Sequence, residues 1–233
     1  KGTISTDLPI SGDIKDFLNM PDFLVAAGAS NVPIEVKESD GENDTYKRAK
    51  LVSLEDELIH STQWRMAHYD PEYGINDQDI WRALAENPEL VVANGAVIPS
   101  GDPFGPQDMS FKTSYLEAGD LKEMDSFPVA MRQRSSSSDP EQLIVIGIVE
   151  RLASSTGWGD EPATFYSSRS LGSRIADEEI PLDTFYFSLK DKDLAVDYSQ
   201  KLEKIFLANG MNAESLLDQL EKQRADSDAF NKL

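Results

Sequence analysis

The sequence contains no cysteine among its 233 residues. Disulfide bonds, thiolate nucleophiles and sulfur-ligated metals are therefore excluded together. Basic residues are also scarce, since 22 lysines and arginines stand against 42 acidic residues and leave a net charge of −20. A protein that binds nucleic acid needs Lys and Arg to displace counterions from phosphate, so this charge disfavours nucleic acid, and also an anionic lipid surface, as a direct partner.

Long hydrophobic runs are missing as well. No stretch of about 18 apolar residues occurs, so no segment of the chain is predicted to span a membrane. The 39% hydrophobic and 27% charged residues are typical of a soluble globular protein, and the length allows one large domain or two subdomains.

Motifs that carry chemistry are absent too. No glycine-rich nucleotide motif, P-loop or G-x-S-x-G nucleophile motif is present. The only histidines, His60 and His68, lack an H-E-x-x-H context, and a zinc site would need further carboxylate ligands. The acidic tract Ser39–Asp44 lacks the residue order of a calcium loop. The sequence therefore predicts a protein that is not an enzyme and has no cofactor and no metal site.

Local patterns predict both strands and helices. Alternating or continuous apolar residues predict strands at Gly2–Thr6, Val32–Glu38, Thr45–Leu54, Glu89–Asn94, Phe127–Arg134, Gln142–Glu150 and Asp183–Lys190. Capping residues and helical spacing predict helices that begin at Ser11, at Asn76 or Asp77, at Ser167, at Asp193 and at Asn212. Gln142–Glu150 is the most apolar strand, which places it near the centre of a sheet.

This order of elements predicts an α+β fold. Residues 1–54 and 140–213 are expected to pair into one split β-α-β subdomain with helices on one face. Residues 55–139 are expected to form an inserted mixed α/β subdomain, and residues 214–233 a helix that leads toward a transmembrane span.

Two aromatic residues in loops are the candidate contact residues. Trp158 lies between two glycines, and Phe104 lies in the Gly- and Pro-rich segment Ser100–Pro106, so both are expected at the surface. Trp81, in contrast, shares a predicted helix with apolar neighbours and is expected in the core. We expect Phe104 and Trp158 to contact a substrate or a partner.

Three stretches in order resemble the extracytoplasmic (MacB-like periplasmic core) domain of FtsX/MacB-like ABC-transporter permeases. They are GINDQDIWRALAENPELVVANGAVIP (Gly74–Pro99), LIVIGIVE (Leu143–Glu150) and FYFSLKDKDLAVDYSQKLEKIFLANGMNAESL (Phe185–Leu216). The resemblance implies a two-subdomain, non-catalytic domain inserted between the first and second transmembrane helices, on the outer side of the cell membrane.

The same resemblance implies partners. These are an ABC ATPase subunit that acts through transmembrane helices, a second copy of the permease, and a transported substrate or extracytoplasmic partner protein. The resemblance also implies a hydrophobic span on each side of the chain. The alternative is a free-standing secreted ligand-binding protein or hydrolase, in which acidic loops and Trp158 form the site.

Overall fold

The computed structural model describes residues 2–5, 21–39, 45–97, 122–134, 136, 138–150, 163–191, 194, 197–198, 200 and 212–215. These residues contain ten strands and three α-helices, which confirms the predicted α+β class. The strands are β1 Gly2–Ser5, β2 Phe23–Glu38, β3 Lys47–Leu54, β4 Met66–Tyr69, β5 Leu90–Asn94, β6 Phe127–Gln133, β7 Glu141–Val149, β8 Thr164–Ser168, β9 Thr184–Leu189 and β10 Asn212–Ser215. The helices are α1 Asp56–Ser61, α2 Asp77–Glu86 and α3 Arg169–Ala176, and Gly95–Val97 forms one 3-10 turn.

The described residues fall into two units. Unit 1 holds those within Lys1–Ser30 and Pro181–Leu233, and unit 2 holds those within Asn31–Leu152 and Trp158–Ile180. Strand β2 contributes its first half to unit 1 and its second half to unit 2. These bounds differ from the subdomains expected at 1–54 with 140–213 and at 55–139, and that division stays a prediction.

Unit 1 is built on four antiparallel strands in the order β10, β1, β9, β2. Alternate residues of β9 point inward, so Phe185 and Phe187 are buried. Phe23 packs edge-to-face against Phe187 and Tyr198, with ring centroids 5.3 and 5.5 Å away. Gly28 lies against Leu182, where a Cβ atom would be 2.6 Å from the leucine side chain.

Unit 2 contains six strands whose pairings close into a ring. Strand β2 pairs with β3 and β6, β3 with β8, β8 with β5, β5 with β7, and β7 with β6. One apolar face of these strands forms a continuous core, against which helix α3 also packs. Strand β7 additionally pairs with β4, so it is an interior strand with partners on both sides, although the strand order places it next to the terminal strand β4.

Helix α2 covers β5 and β8 from the other side. Its cap is the predicted one, because the Asn76 side chain accepts hydrogen bonds from the backbone N–H groups of Gln78 and Asp79. Ile80, Trp81 and Leu84 are fully buried, as their helical spacing predicts.

Several predicted elements are wrong or incomplete. The helix predicted from Asn212 is wrong at its start, because Asn212–Ser215 forms β10 and pairs with β1. Ser167 and Ser168 belong to β8, so the next helix begins at Arg169. The predicted helix at Ser11 lies outside the described residues, as does most of the helix predicted from Asp193, although Asp197 and Tyr198 are helical.

Candidate functional site

The two predicted contact residues, Phe104 and Trp158, both lie outside the described residues. Their role in contacting a substrate or partner stays a prediction.

The two histidines occupy different elements. His60 is exposed on α1, and His68 is half-buried on β4. Within the described residues, the buried Nδ1 atom of His68 has no hydrogen-bond partner. The described part of the chain also contains no group of three histidines or carboxylates arranged to hold a metal ion.

Trp81 is a core residue, as predicted. Its indole N–H donates to the Trp64 carbonyl oxygen at 3.0 Å, and its ring meets those of Trp64 and Tyr166 at 5.9 and 6.1 Å. This aromatic cluster fixes α2 on the sheet and therefore has a structural role.

The most distinctive surface among the described residues is the outward side of β6, β2 and β3. Alternation along the strands produces it, because Val36, Ala49 and Met131 face the core of unit 2 and their sequence neighbours point the opposite way. We call this surface the basic sheet face. It consists of Glu35, Lys37, Arg48, Lys50 and Arg132 on these strands, together with Tyr46, which directly precedes β3, and Arg134, which directly follows β6.

The centre of the basic sheet face is organised around one arginine. Arg132 lies directly opposite Glu35 on the neighbouring strand and donates two hydrogen bonds to Glu35 Oε2, at 2.9 and 3.2 Å. The Arg132 guanidinium also lies 4.1 Å from the ring centre of Tyr46, and the Lys37 ammonium lies 5.1 Å from the same centre. The Tyr46 ring thus makes cation–π contacts with both Arg132 and Lys37.

The remaining cations flank this centre. Arg48 and Arg134 are exposed, and Lys50 is half-buried. None of these three side chains forms an ion pair with any residue that the structure describes. Among the residues that the structure describes, the basic sheet face therefore contains five cations and one carboxylate, on a chain whose net charge is −20.

Sequence reasoning missed the basic sheet face. A signal was available, because Tyr46, Arg48 and Lys50 alternate along one predicted strand, and so do Arg132 and Arg134 along another. What the sequence could not supply was the pairing of β6 with β2, which joins residues 97 positions apart.

The first and last described strands meet in unit 1. Strand β1 runs antiparallel to β10, with Gly2 opposite Ser215 and Ser5 opposite Asn212. The beginning of β1 and the end of β10 are therefore adjacent.

Two tyrosines of unit 1 have altered acidity. Burial raises the pKa of Tyr186 to about 12, and the nearby Asp183 carboxylate adds to the rise. Tyr198 donates a hydrogen bond to Asp22, and this bond is the largest cause of its raised pKa, followed by burial and by the Asp22 charge.

No helix within the described residues is long and apolar enough to cross a lipid bilayer.

Comparison with known sequences finds no matching protein family and no matching curated protein. Solved structures do match. The periplasmic region of MacB from Actinobacillus actinomycetemcomitans aligns over 96% of this chain and 92% of its own, with a TM-score of 0.54 and 8% identity.

Two further structures align with lower scores. The extracellular domain of the noncanonic ABC-type transporter YknZ from Gram-positive bacteria covers 92% of this chain and 100% of its own, at a TM-score of 0.49 and 7% identity. A domain of a putative permease from Porphyromonas gingivalis covers 94% of each chain, at a TM-score of 0.43 and 10% identity. On the evidence of the first comparison, the chain has the fold of the periplasmic region of MacB, as the sequence resemblance implied.

Proposed function

We propose that this chain is the extracytoplasmic domain of an ABC-transporter permease. In this role it contacts a substrate or partner protein outside the membrane and is coupled, through transmembrane helices, to ATP hydrolysis by a separate cytoplasmic subunit. The observation that carries the proposal is the antiparallel pairing of β1 with β10.

A domain inserted between two membrane spans must leave the bilayer and return to it nearby. Paired strands lie about 4.8 Å apart, and packed helices lie about 8–10 Å apart. The start of β1 and the end of β10 are thus close enough to continue into two neighbouring transmembrane helices through short connections. The fold likeness to a periplasmic region supports the same arrangement.

The pairing also suggests how motion is passed on. Strands β1 and β10 belong to one hydrogen-bonded sheet with β9, so a displacement of either membrane span acts on the whole sheet of unit 1. The domain needs no chemistry of its own for this task. The proposed partners are an ABC ATPase, a second permease copy, and a substrate or partner protein. We propose that this substrate or partner protein contacts the loops around Phe104 and Trp158.

The experiment is to sequence the coding region on both sides of this segment, over about 60 codons, because one membrane span requires about 20 apolar residues. A span on each side, and three or more in the whole protein, is the result expected. Start and stop signals at the flanks, or a cleavable signal peptide followed by no span, would overturn the proposal and favour a secreted binding protein or hydrolase.

A further inference from the structure

We propose that the basic sheet face binds an acidic, Asp- and Glu-rich segment of a partner protein. The inference deepens the proposed partner contact and rests on that function for placing the face outside the membrane. Its physical basis is the arrangement of the cations on β6, β2 and β3.

Ion pairing within the basic sheet face balances only part of its positive charge. Like charges on adjacent strands repel one another, so gathering Lys37, Arg48, Lys50, Arg132 and Arg134 on one face works against folding. Arg132 is balanced by its ion pair with Glu35, whereas Arg48, Lys50 and Arg134 form no ion pair with any residue that the structure describes. A negatively charged ligand would relieve the repulsion and restore the balance.

The geometry favours carboxylates as the ligand groups. A guanidinium presents parallel N–H donors that match the two oxygens of a carboxylate. Arg132 is held in place by Glu35 on one side and by the Tyr46 ring on the other. Arg134 directly follows β6, and its backbone N–H still donates to the Pro33 carbonyl oxygen of β2 at 2.9 Å. The pairing with β2 therefore extends to Arg134, two residues beyond Arg132, and the Arg134 side chain is exposed. A short run of acidic side chains can meet these groups in succession.

The width of the face favours a narrow ligand over a membrane. Three neighbouring strands span about 10 Å, and charges in physiological salt are screened over about 8 Å. A broad anionic surface would also be repelled by the acidic residues on the rest of the chain, because the net charge of the chain is −20. Two copies of this chain would repel each other for the same reason. A flexible acidic segment avoids this repulsion because it touches the basic strip alone.

The test measures binding of a fluorescein-labelled deca-glutamate peptide to the 233-residue chain by fluorescence anisotropy. The variants are Arg48→Glu and Arg134→Glu. The matched control is Arg65→Glu, which makes the same charge change at an exposed arginine of unit 2 that is outside the face. A deca-glutamine peptide controls for uncharged contacts, and thermal melts check that every variant folds.

We expect salt-sensitive binding of deca-glutamate by the unmodified chain, weaker at about 150 mM salt than at about 20 mM. We expect Arg48→Glu and Arg134→Glu each to weaken binding on the order of tenfold, which charge reversal at a contact would produce. Arg65→Glu should change it by less than about twofold, as expected for a distant, screened charge.

Three outcomes would overturn the proposal. The first is no binding by the unmodified chain at low salt. The second is an equal loss in Arg65→Glu, which would reveal an effect of net charge alone. The third is binding to vesicles with roughly 30% phosphatidylglycerol, or self-association in sedimentation, that depends on Arg48 and Arg134 while deca-glutamate does not bind. Each outcome is independent of whether membrane spans flank the chain, so it can be told apart from failure of the proposed function.

Discussion

Gly172 of α3 lies against Ser53 of β3 so closely that a Cβ atom on Gly172 would be 2.6 Å from the Ser53 Cβ and would overlap its hydroxyl oxygen. The Ser53 hydroxyl is itself occupied, since it donates to the Ser168 carbonyl oxygen at 3.1 Å. This contact lets Leu171 and Ile175 of the same helix reach the core of unit 2. The position of α3 therefore depends on the absence of a side chain at Gly172.

We expect Gly172→Ala to lower the free energy of unfolding by about 1–2 kcal/mol, the usual cost of overpacking. Alanine favours a helix by about 1 kcal/mol over glycine, so helix propensity alone predicts the opposite sign. Urea denaturation monitored by circular dichroism measures the difference. An increase in stability would show that α3 does not pack against β3 as described.

The control is the same substitution in a Ser53→Gly background. Removal of the Ser53 side chain eliminates the overlap with Ser53 and leaves only the terminal methyl group of Ile180, 2.9 Å from the new Cβ, which can move aside. Gly172→Ala should then be close to neutral or stabilising. The double-mutant cycle isolates this pairwise term from the separate cost of losing the Ser53 hydrogen bond. Equal effects in both backgrounds would exclude the steric explanation.

Elements with strong local signals could be predicted from the sequence. Helix α2 combines an Asn76 cap with apolar residues four positions apart, and strand β9 alternates cleanly, so both were recognisable without knowledge of their neighbours. Strand β7 is predicted to lie near the centre of a sheet because it is the most apolar strand of the chain.

Elements that depend on distant pairing could not be predicted. Strand β8 is rich in Ser, Thr and aromatic residues, and it is stabilised by parallel pairing with β3, in which Thr164 lies opposite Lys50. At Asn212–Ser215 the local pattern suggests a helix, but pairing with β1 overrides it. The basic sheet face likewise exists only once β2 and β6 are paired. Local sequence propensity carries no information about which strands pair with one another.

The Tyr46 ring is predicted to organise the basic sheet face through its aromatic surface. Tyr46→Phe should therefore leave stability and deca-glutamate binding close to those of the unmodified chain. Tyr46→Ala should lower the free energy of unfolding by about 0.5–1 kcal/mol, the usual strength of an exposed cation–π contact, and should weaken peptide binding. Urea unfolding and peptide anisotropy measure the two effects. A loss in Tyr46→Phe equal to that in Tyr46→Ala would instead assign the role to the hydroxyl group.

The C-terminal end of α3 offers a stabilising substitution. Asp177 adopts a left-handed conformation with φ of 54°, and its N–H donates to the carbonyl oxygens of Arg174 and Ser173. A residue other than glycine is strained there, and a negative charge at a helix C-terminus is unfavourable. We expect Asp177→Gly to raise the melting temperature, with a gain of about 0.5–1 kcal/mol. Asp177→Asn removes only the charge, so it should give part of the gain, and a loss of stability in both variants would contradict this account.

The pairing of β1 with β10 can be tested by a disulfide, because the natural chain has no cysteine to interfere. Thr3 lies opposite Glu214, and opposed residues of antiparallel strands have Cα atoms about 4.5–5.5 Å apart, within the range of a disulfide. The double variant Thr3→Cys with Glu214→Cys should form a disulfide on mild oxidation, seen as a mobility shift in a non-reducing gel.

The matched control for this crosslink is Thr3→Cys with Asn212→Cys. Asn212 is two residues out of register, which adds about 6.7 Å along the strand and places the pair beyond disulfide reach. Oxidation of both pairs at the same rate would show that these segments are not in fixed register. That result would remove the observation on which the proposed permease domain depends.

Tyr186 predicts how the stability of unit 1 responds to alkaline pH. The pKa of this phenol is about 12 in the folded chain, above its ordinary value of 10.0. Between these values the folded state keeps a proton that the unfolded state releases. The stabilising contribution is therefore complete below pH 10 and is lost as the pH rises toward 12. Each unit of pH in this window lowers the free energy of unfolding by up to about 1.4 kcal/mol for one proton.

Tyr186→Phe should accordingly flatten the decline in the free energy of unfolding between pH 10 and 12, as measured by urea titrations of both proteins. Their difference at pH 8, where the phenol is protonated in both states, gives the purely structural effect of the substitution. If the difference stays constant from pH 8 to pH 12, the Tyr186 phenol is not buried beside Asp183.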